Sequence, residues 1–367
     1  MKSHVSNPLR FESSGKITQN RMVLAAMTNK QSHVDGTLSN NEINWLVRRA
    51  KGGFGIITTA AAHVSKDGQS WEGELGMFGD GHIDKLSILA RSVHHYQSLL
   101  IAQLFHGGMQ TNETLTGKTP LSASRIPSNG SKDGFTRPAT EKDINRIIND
   151  FTSAALRCVE AGFDGIELHG AHGYLISQFL GKKSNLRTDK WGGDINGRSR
   201  FLVKILSSIK KNIPENFIVG VRLSPEINEL GIRLDDSISL AKIISDIGVD
   251  FIHVSCWDVF KGSIEFPNDP RTLTEWFVDS YDGLPSIIST GGVWSRSDAD
   301  RLIHQGADLV GVGRVGIAYP DWAREICRED YDPKRPPFTV DHLRKAELSD
   351  VFIEYMRNWK GFVVKDR

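Results

Sequence analysis

Three side chains that can donate or accept protons stand close together near the middle of the sequence: His169, His172 and Tyr174. They follow the apolar, glycine-marked run Phe163–Leu168, which has the composition of a buried strand. A strand fixes the position of the residues directly after it, while the loop beyond reaches solvent, so catalytic groups are common at such exits. The sequence therefore predicts that these three side chains lie at a strand end, in a candidate active site.

Three roles are open to this cluster from the residues alone. His169 and His172 could each donate an N–H to a substrate oxygen, with Tyr174 as the general acid where a carbanion forms. The two histidines could instead bind a metal ion, but no third ligand stands at a recognisable spacing. They could also be hydrogen-bonded framework residues. Two histidines beside a tyrosine favour the donor interpretation, and we predict no metal site.

A second candidate site involves glycines near the end of the sequence. Gly291 and Gly292 follow the run Ser286–Thr290, and Gly313 and Arg314 follow Asp308–Val312. Small residues let backbone N–H groups approach a phosphate closely, and an arginine can add a bidentate charged contact. The alternative is that the glycines only satisfy tight turns. Together with Arg314 they favour phosphate binding.

Gln103 and Arg222 are two further polar residues at the ends of apolar runs. An arginine buried in such a run is costly unless it meets an anion or a strong acceptor. A structural salt bridge and a ligand contact explain Arg222 equally well at this stage.

The elements that must position these residues alternate between strand and helix. Helical segments with good N-terminal signals begin near Ser39 and Thr140. Eight short β-rich runs recur between such segments: Met22–Met27, Gly55–Thr59, Leu99–Leu104, Phe163–Leu168, Phe217–Leu223, Asp250–Ser255, Ser286–Thr290 and Asp308–Val312.

Eight strand–helix units predict an α/β fold that closes into a (β/α)8 TIM barrel. Excursions at about 105–139, 181–200 and 256–284 follow predicted strands three, four and six, so they would cap the C-terminal mouth, where barrel enzymes keep their active sites. A doubly wound open sheet is the rival, but no G-x-G-x-x-G turn follows the first strand. No linker divides residues 1–367, so we expect one domain, with a helical tail from about residue 331 that includes a helix over Val340–Trp359.

Composition narrows the class of protein. Lys+Arg total 45 and Asp+Glu 44, so the net charge of +1 gives no electrostatic reason to expect nucleic acid or an anionic membrane as a partner. The three cysteines, Cys158, Cys256 and Cys327, form no C-x-x-C pair, which disfavours disulfides, iron–sulfur clusters and structural zinc. Met1–Arg10 lacks the apolar core of a signal peptide and no stretch could span a bilayer. We expect a cytoplasmic protein.

Several motifs in the same order resemble the Old Yellow Enzyme family of FMN-dependent NAD(P)H:flavin oxidoreductases and ene reductases. The most specific are H-G-A-H-G-Y-L at His169–Leu175 and R-T-D-x-[aromatic]-G-G at Arg187–Gly193. The other matching segments cover most of the chain: Asn20–Thr28, Gln103–Gly108, Gln178–Leu180, Val221–Pro225 and Gly311–Arg314.

The resemblance implies an FMN across the barrel mouth and assigns a cofactor role to residues throughout the chain. Arg222 would lie near N1 and the C2 carbonyl, where a fixed cation favours the reduced flavin. Gln103 would bind the pyrimidine edge, and Thr28 would reach the C4 carbonyl side. The ring would be lined by Ala25, Ala26 and Ala61 through backbone, with Met27 in the same segment, and the phosphate would meet Gly291, Gly292, Gly313 and Arg314.

The resemblance also implies a reaction. NADPH or NADH would reduce the flavin, which would pass hydride to the β-carbon of an electron-poor alkene such as an α,β-unsaturated carbonyl. His169 and His172 would hold the carbonyl oxygen and Tyr174 would protonate the α-carbon. Alternatives are a related flavin enzyme acting on an amine or quinone, a flavin-free phosphate-binding lyase or isomerase, and a non-catalytic binding protein. A homo-oligomer is possible.

Two departures from the family pattern concern the pocket. Ala26 stands where many relatives have proline, and Phe105 where yeast-type members have tryptophan, so the resemblance leaves the substrate range open. Trp191 replaces a common tyrosine. We expect neither the cysteine cluster nor the additional nucleotide domain of the larger iron–sulfur relatives.

Overall fold

A computed structural model of the protein describes residues 4–365. Two segments lie outside the described residues: Met1–Ser3 and Asp366–Arg367. Both belong to the predicted domain 1–367, and Met1–Ser3 also belong to the stretch Met1–Arg10, in which no signal peptide is predicted. Eight parallel strands form the centre of the molecule: β1 Met22–Leu24, β2 Ile56–His63, β3 Leu99–Phe105, β4 Gly165–Gly170, β5 Ile218–Leu223, β6 Phe251–Ser255, β7 Ser286–Thr290 and β8 Leu309–Val312.

These strands close into a barrel. Each pairs in parallel with the next, and β8 pairs with β1 through Val310 and Met22, which completes the circle. The predicted (β/α)8 TIM barrel is confirmed, and the open-sheet rival is wrong because the first and last strands are hydrogen-bonded neighbours. Each of the eight predicted runs overlaps an observed strand. The first is shorter than predicted, since β1 ends at Leu24 and the chain then leaves the barrel wall.

The end of the barrel where the strands begin is filled with apolar side chains. A short antiparallel pair, Leu9–Arg10 with Ile17–Thr18, covers this end. Leu9 and Phe11 pack there against the first inward-facing residues of the strands. The cluster comprises Leu9, Phe11, Val23, Ile56, Leu99, Ile101, Ile218, Phe251, Ile288 and Leu309. Because this end is packed solid, a ligand site can open only at the opposite, C-terminal mouth.

Helices surround the barrel and present apolar faces to it. The predicted starts are confirmed at Ser39, whose hydroxyl caps the first helix, and at Thr140, which forms a capping box with Asp143. The helices that follow the strands are α1 Asn40–Lys51, α2 Ile83–His94, α3 Glu141–Glu160, α4 Ile195–Asn212, α5 Leu234–Ser245, α6 Leu273–Val278, α7 Arg296–His304 and α8 Arg314–Ala318.

Additional short elements lie in the loops at the mouth. The predicted excursion at 105–139 contains a short parallel pair, Leu121–Ser122 with Arg137–Pro138, and the one at 256–284 includes α6. A further excursion, not predicted, follows β2 and adds Leu75–Gly76 to the edge of that strand. The other short helices are Lys66–Gly68, Asp80–His82, Gly108–Gln110, Glu113–Thr116, Leu175–Leu180 and Trp322–Glu325.

The C-terminal tail differs from the prediction of one helix over Val340–Trp359, which is wrong. Two short helices, Val340–Lys345 and Asp350–Met356, occupy this segment. The chain turns between them because Glu347 adopts a left-handed backbone conformation with φ 63°, and the Ser349 hydroxyl then caps the second helix. This turn directs the second helix to the mouth of the barrel.

Candidate active site

A cavity of about 620 Å³ opens at the C-terminal mouth of the barrel. This volume lies in the range typical of cofactor and small-molecule sites. Its walls include almost every residue singled out in the sequence: Ala26, Met27, Thr28, Ala61, Gln103, His169, His172, Tyr174, Arg222, Gly291, Gly292, Gly313 and Arg314. The structure thus brings residues from seven barrel segments to one place.

Ala25 is the exception. Its backbone N–H continues the sheet pairing by donating to Val312 O at 3.0 Å, and the residue is buried. Ala25 does not line the cavity, because the segment separates from the barrel wall only after this residue. The expected backbone contact of Ala25 with the cofactor ring stays a prediction.

His169 is oriented by the backbone at the end of β4. Its Nδ1 accepts a hydrogen bond from Ala171 N at 3.3 Å, which leaves the imidazole proton on Nε2. Burial, with the positive charge of Arg222 nearby, lowers the pKa of His169 well below its ordinary value, so the ring is neutral. His169 therefore offers one N–H donor to the cavity that it lines.

His172 lies beside His169, with ring centroids 5.0 Å apart and nearly perpendicular. Its backbone is left-handed, with φ 60°, and its N–H donates to Ser224 Oγ at 3.1 Å. The ring Nε2 lies 2.8 Å from Ser255 Oγ. Burial and the neighbouring Arg222 lower the pKa of His172 to about 3, so this ring is also neutral.

Tyr174 completes an aromatic wall. Its ring packs edge-on against His169 at 4.8 Å and Phe105 at 4.9 Å, and Trp71 lies 6.4 Å away. Burial raises the pKa of the Tyr174 phenol above its ordinary value, so it holds its proton at neutral pH. The phenol therefore carries an O–H group in the same wall as the two imidazoles.

Arg222 lies on β5 beside His169 of β4, where it is buried with its donors largely unused. Nη1 donates to Ala26 O at 3.2 Å, while Nε has no partner among the described residues. Across residues 4–365 no carboxylate lies within salt-bridge distance of the guanidinium, which removes the salt-bridge explanation. A buried cation with an unpaired N–H is costly. Its environment fits a ligand that supplies an acceptor or partial negative charge.

A chain of buried polar side chains runs behind Gln103. Gln103 Nε2 donates to Glu167 Oε1 at 2.6 Å, and Glu167 Oε2 lies 2.6 Å from His253 Nδ1. His253 Nε2 in turn lies 2.6 Å from Thr290 Oγ1. The sequence alone assigns no role to Glu167, which lies in the run Phe163–Leu168, or to His253. The signal for His253 is a histidine inside the apolar run Asp250–Ser255.

The glycine-rich end of the cavity has room only for small residues. A Cβ on Gly291 would lie 2.3 Å from Cys256 O, and Gly292 has φ 76°. Arg314 lies at the rim, where its guanidinium carbon is 5.7 Å from the centre of the Trp257 ring. Small residues with one cation suit a phosphate group, as the sequence suggested.

Several wall residues have no counterpart in the sequence predictions. They lie at or after the ends of β5, β6 and β7, or in the C-terminal tail, and no local sequence pattern marks them: Ser224, Glu226, Ser255, Cys256, Trp257, Thr290, Trp294, Tyr355, Met356 and Trp359. In the part of the chain that the structure describes, no group of three His, Cys, Asp or Glu side chains could hold a metal ion. Between residues 4 and 365 no helix is both long and apolar enough to cross a membrane.

Comparison with known proteins decides the family. Residues 6–332 match the model of the NADH:flavin oxidoreductase / NADH oxidase family. The chain belongs to this family. A probable NADH-dependent flavin oxidoreductase, YqiG of Bacillus subtilis, is 33% identical over 325 residues, which cover 87% of this chain and 86% of the relative. The predicted membership of the Old Yellow Enzyme family is confirmed, and the flavin-free alternatives are set aside.

Some relatives are much longer. The NADH:acrylate oxidoreductase of Vibrio harveyi is 35% identical over 333 residues, which cover 87% of this chain but only 33% of that protein. Among solved structures, the Old Yellow Enzyme homologue of Zymomonas mobilis superposes with a TM-score of 0.80, covers 92% of this chain and 96% of its own, and is 24% identical. Morphinone reductase gives 0.79, with 94% and 93% covered and the same identity. These two likenesses show the fold.

Family membership confirms the predicted enzyme class. The chain is an oxidoreductase with FMN as its cofactor and NADH or NADPH as its reductant. The unpaired donor of Arg222 and the small residues around Gly291 fit that cofactor.

Proposed function

We propose that the chain is an ene reductase, which reduces the C=C bond of an α,β-unsaturated carbonyl or a related electron-poor acceptor. The observation that carries the proposal is the wall of two neutral imidazoles and one protonated phenol, His169, His172 and Tyr174, in the cavity. The relatives in Vibrio harveyi and Klebsiella pneumoniae are named for acrylate and fumarate, both electron-poor alkenes.

We propose that residues lining the cavity hold FMN. Arg222 would meet the N1 and C2 carbonyl region with the donor that has no protein partner. Gln103 would bind the pyrimidine edge and Thr28 would reach the C4 carbonyl side, while Gly291, Gly292, Gly313 and Arg314 would surround the phosphate. Ala26, Met27 and Ala61 would line the ring. When bound, FMN supplies hydride transfer from NAD(P)H to the acceptor.

The histidines would bind the carbonyl oxygen of the acceptor. His169 contributes Nε2–H, because its Nδ1 is occupied by Ala171 N. A neutral imidazole donates a hydrogen bond without risk of protonating the oxygen, so negative charge that develops there is stabilised by donors already in place. By analogy with oxyanion-hole donors, loss of His169 would cost about 3 kcal/mol of transition-state stabilisation.

Tyr174 would deliver the proton to the α-carbon. The raised pKa keeps the phenol protonated, and its contacts with His169 and Phe105 fix the ring. A positioned general acid of this kind contributes about 10²- to 10⁴-fold in rate.

The proposal extends to location and partners. We propose a cytoplasmic enzyme acting on a small-molecule acceptor, in which Cys158, Cys256 and Cys327 are free thiols. A single FMN-binding domain and a possible homo-oligomer remain predictions.

Anaerobic measurement of the two half-reactions tests the proposal. For Tyr174→Phe we expect reduction of bound FMN by NADH or NADPH at nearly the wild-type rate, and reoxidation by 2-cyclohexenone at least 100-fold slower. His172→Ala and His169→Ala should weaken capture of the enone. Equal slowing of both half-reactions by Tyr174→Phe, or no reoxidation of the wild-type enzyme by any enone, would contradict it.

A further inference from the structure

Four polar side chains form a continuous hydrogen-bonded chain beneath the cavity. Gln103, Glu167, His253 and Thr290 come from β3, β4, β6 and β7, and the three links between them are each 2.6 Å long. All four are buried. The two members in the middle, Glu167 and His253, do not line the cavity, while the two at the ends do. The chain therefore connects two parts of the wall through the barrel interior.

The hydrogen bonds in this chain have a fixed direction. Burial alone would raise the pKa of Glu167, but His253, Arg222 and Gln103 lower it below its ordinary value, so the carboxylate is ionised and only accepts. It accepts Nε2–H of Gln103 and Nδ1–H of His253. Burial lowers the pKa of His253, so its ring is neutral. Nε2 of this ring accepts a hydrogen bond from the Thr290 hydroxyl group.

This direction determines which atoms Gln103 presents to the cavity. A carboxamide can usually rotate by half a turn and exchange its oxygen and nitrogen. Here rotation would place Oε1 against the carboxylate of Glu167, where two acceptors repel each other. Gln103 is therefore held with Oε1 as an acceptor and the second Nε2–H as a donor for the ligand. A flavin pyrimidine edge, with an N3–H donor beside a carbonyl acceptor, complements this pair.

The other end of the chain reaches the glycine-rich loop. Thr290 is the residue before Gly291, and its side chain is tightly enclosed: a Cβ on Gly311 would lie 1.8 Å from Thr290 Oγ1. The bond to His253 therefore fixes the start of the segment that would surround the phosphate.

We propose that Glu167 and His253 are positioning residues of the flavin site, which hold the amide of Gln103 in one orientation and the Thr290–Gly291 segment in place. The buried charge of Glu167 also opposes that of Arg222. Since no other carboxylate is close to Arg222 among the described residues, the ionised Glu167 limits how strongly this cation favours the reduced cofactor. This inference rests on the proposed FMN contacts of Gln103 and Arg222.

The test compares Glu167→Gln with Asp164→Asn. Asp164 is a matched control, because it is a buried carboxylate that precedes the same strand but pairs with Lys16 and His94 at the opposite end of the barrel. We expect Glu167→Gln to weaken FMN binding about tenfold, since its amide permits both orientations of Gln103. Relative to the wild type, the affinity of this variant for reduced FMN should increase about tenfold compared with its affinity for oxidised FMN. This change raises the reduction potential of bound FMN by ~30 mV for a two-electron couple. Asp164→Asn should lower thermal stability but change neither value.

A milder pair of variants keeps the test independent of folding. Thr290→Val removes the hydroxyl donor at nearly constant volume and keeps Glu167, so FMN binding should weaken while the potential changes little. Thr290→Ser keeps the hydroxyl group, so it should bind FMN as the wild type does. FMN dissociation constants are read from fluorescence quenching, and potentials from equilibration with a reference dye.

The outcomes separate this inference from the proposed function. If Glu167→Gln changes only the melting temperature, with FMN affinity and potential as in the wild type, the positioning role is wrong. If the wild-type chain binds FMN and the variants behave as expected but no enone is reduced, the ene reductase proposal fails while the positioning role stands. If the wild-type chain does not bind FMN, both fail.

Discussion

The Nε2 atom of His172 lies 2.8 Å from the hydroxyl oxygen of Ser255, so this histidine is held by the end of β6 as well as by its own loop. Its backbone N–H is also bound, by Ser224 at the end of β5. Ser224 thus holds the backbone of His172, while Ser255 orients its imidazole. The ring stands in a left-handed loop position that would otherwise constrain it little.

Ser255→Ala should therefore weaken the binding of the acceptor oxygen by His172 without abolishing it. Loss of one neutral hydrogen bond costs about 1 kcal/mol, which corresponds to about a fivefold fall in kcat/KM for enone reduction. Reduction of FMN by NADH or NADPH should change less, and Ser255→Thr, which keeps the hydroxyl, should retain most activity. The double variant Ser255→Ala/His172→Ala should have the same kcat/KM as His172→Ala alone. Additive losses would show that Ser255 acts independently of His172.

Neither His169 nor His172 should titrate between about pH 5 and pH 8. The rate of enone capture should therefore show no step in this range that arises from these two histidines. The pKa of His172 is lowered to about 3 and that of His169 lies well below its ordinary value, because burial and Arg222 disfavour the charged rings. A lowered pKa means that protonation begins only well below pH 5. Stopped-flow reoxidation by 2-cyclohexenone across this range tests it. A step near the ordinary histidine pKa that disappears in His172→Gln would contradict it.

Glu74→Gln should stabilise the protein more at high pH than at low pH. Glu74 is fully buried, its Oε2 accepts the backbone N–H groups of Ser70 and Trp71, and burial raises its pKa well above the ordinary value. A carboxyl group whose folded pKa is raised favours the folded state at low pH, and this contribution is lost as pH rises above its unfolded pKa.

Glutamine keeps the acceptor for both N–H groups and cannot ionise. The difference in unfolding free energy between Glu74→Gln and wild type should therefore increase from pH 5 to pH 8, measured by urea denaturation of the FMN-loaded protein. Glu72→Gln, at an exposed carboxylate two residues away, is the control and should show no such trend. A constant difference for Glu74→Gln at all pH values would mean that Glu74 is already ionised at pH 5.

The strands and half of the site were predictable because both depend on local pattern. A buried parallel strand requires a short apolar run, so β7 was predicted with its observed bounds, Ser286–Thr290. The catalytic and phosphate candidates stand directly after such strands, where the chain order alone brings them to one mouth. Ala25 does not line the cavity, a detail that the sequence does not give because it does not show at which residue a strand separates from its neighbour.

Other parts depend on contacts between distant segments. Ser255 and Thr290 end predicted strands, but serine and threonine at such positions are too common to signal a role. His253 could be assigned a partner only once the closed barrel placed β4 and β6 on either side of β5, with His253 Nδ1 2.6 Å from Glu167 Oε2. The tail was read as one helix because its apolar spacing is continuous, whereas the turn at Glu347 and the cap at Ser349 depend on where the second helix packs.

Loss of the Trp359 ring from the tail should accelerate release of FMN. Trp359 and Trp257 both line the cavity, their ring centroids are 6.1 Å apart, and Trp257 lies beside the guanidinium of Arg314. The pair joins the excursion after β6 to the C-terminal tail across the rim. An aromatic pair contributes about 1 kcal/mol beyond area burial, so Trp359→Ala should raise the FMN dissociation rate about fivefold on dilution, followed by flavin fluorescence.

Val351→Ala, at an exposed position of the same tail, should release FMN at the wild-type rate. Since Trp257 is 74% exposed, Trp257→Ala should cost little stability and reproduce the effect, and the two changes should not add, because either one removes the same contact. Unchanged release in both tryptophan variants would show that the cofactor is retained by the glycine-rich loop and Arg314 alone.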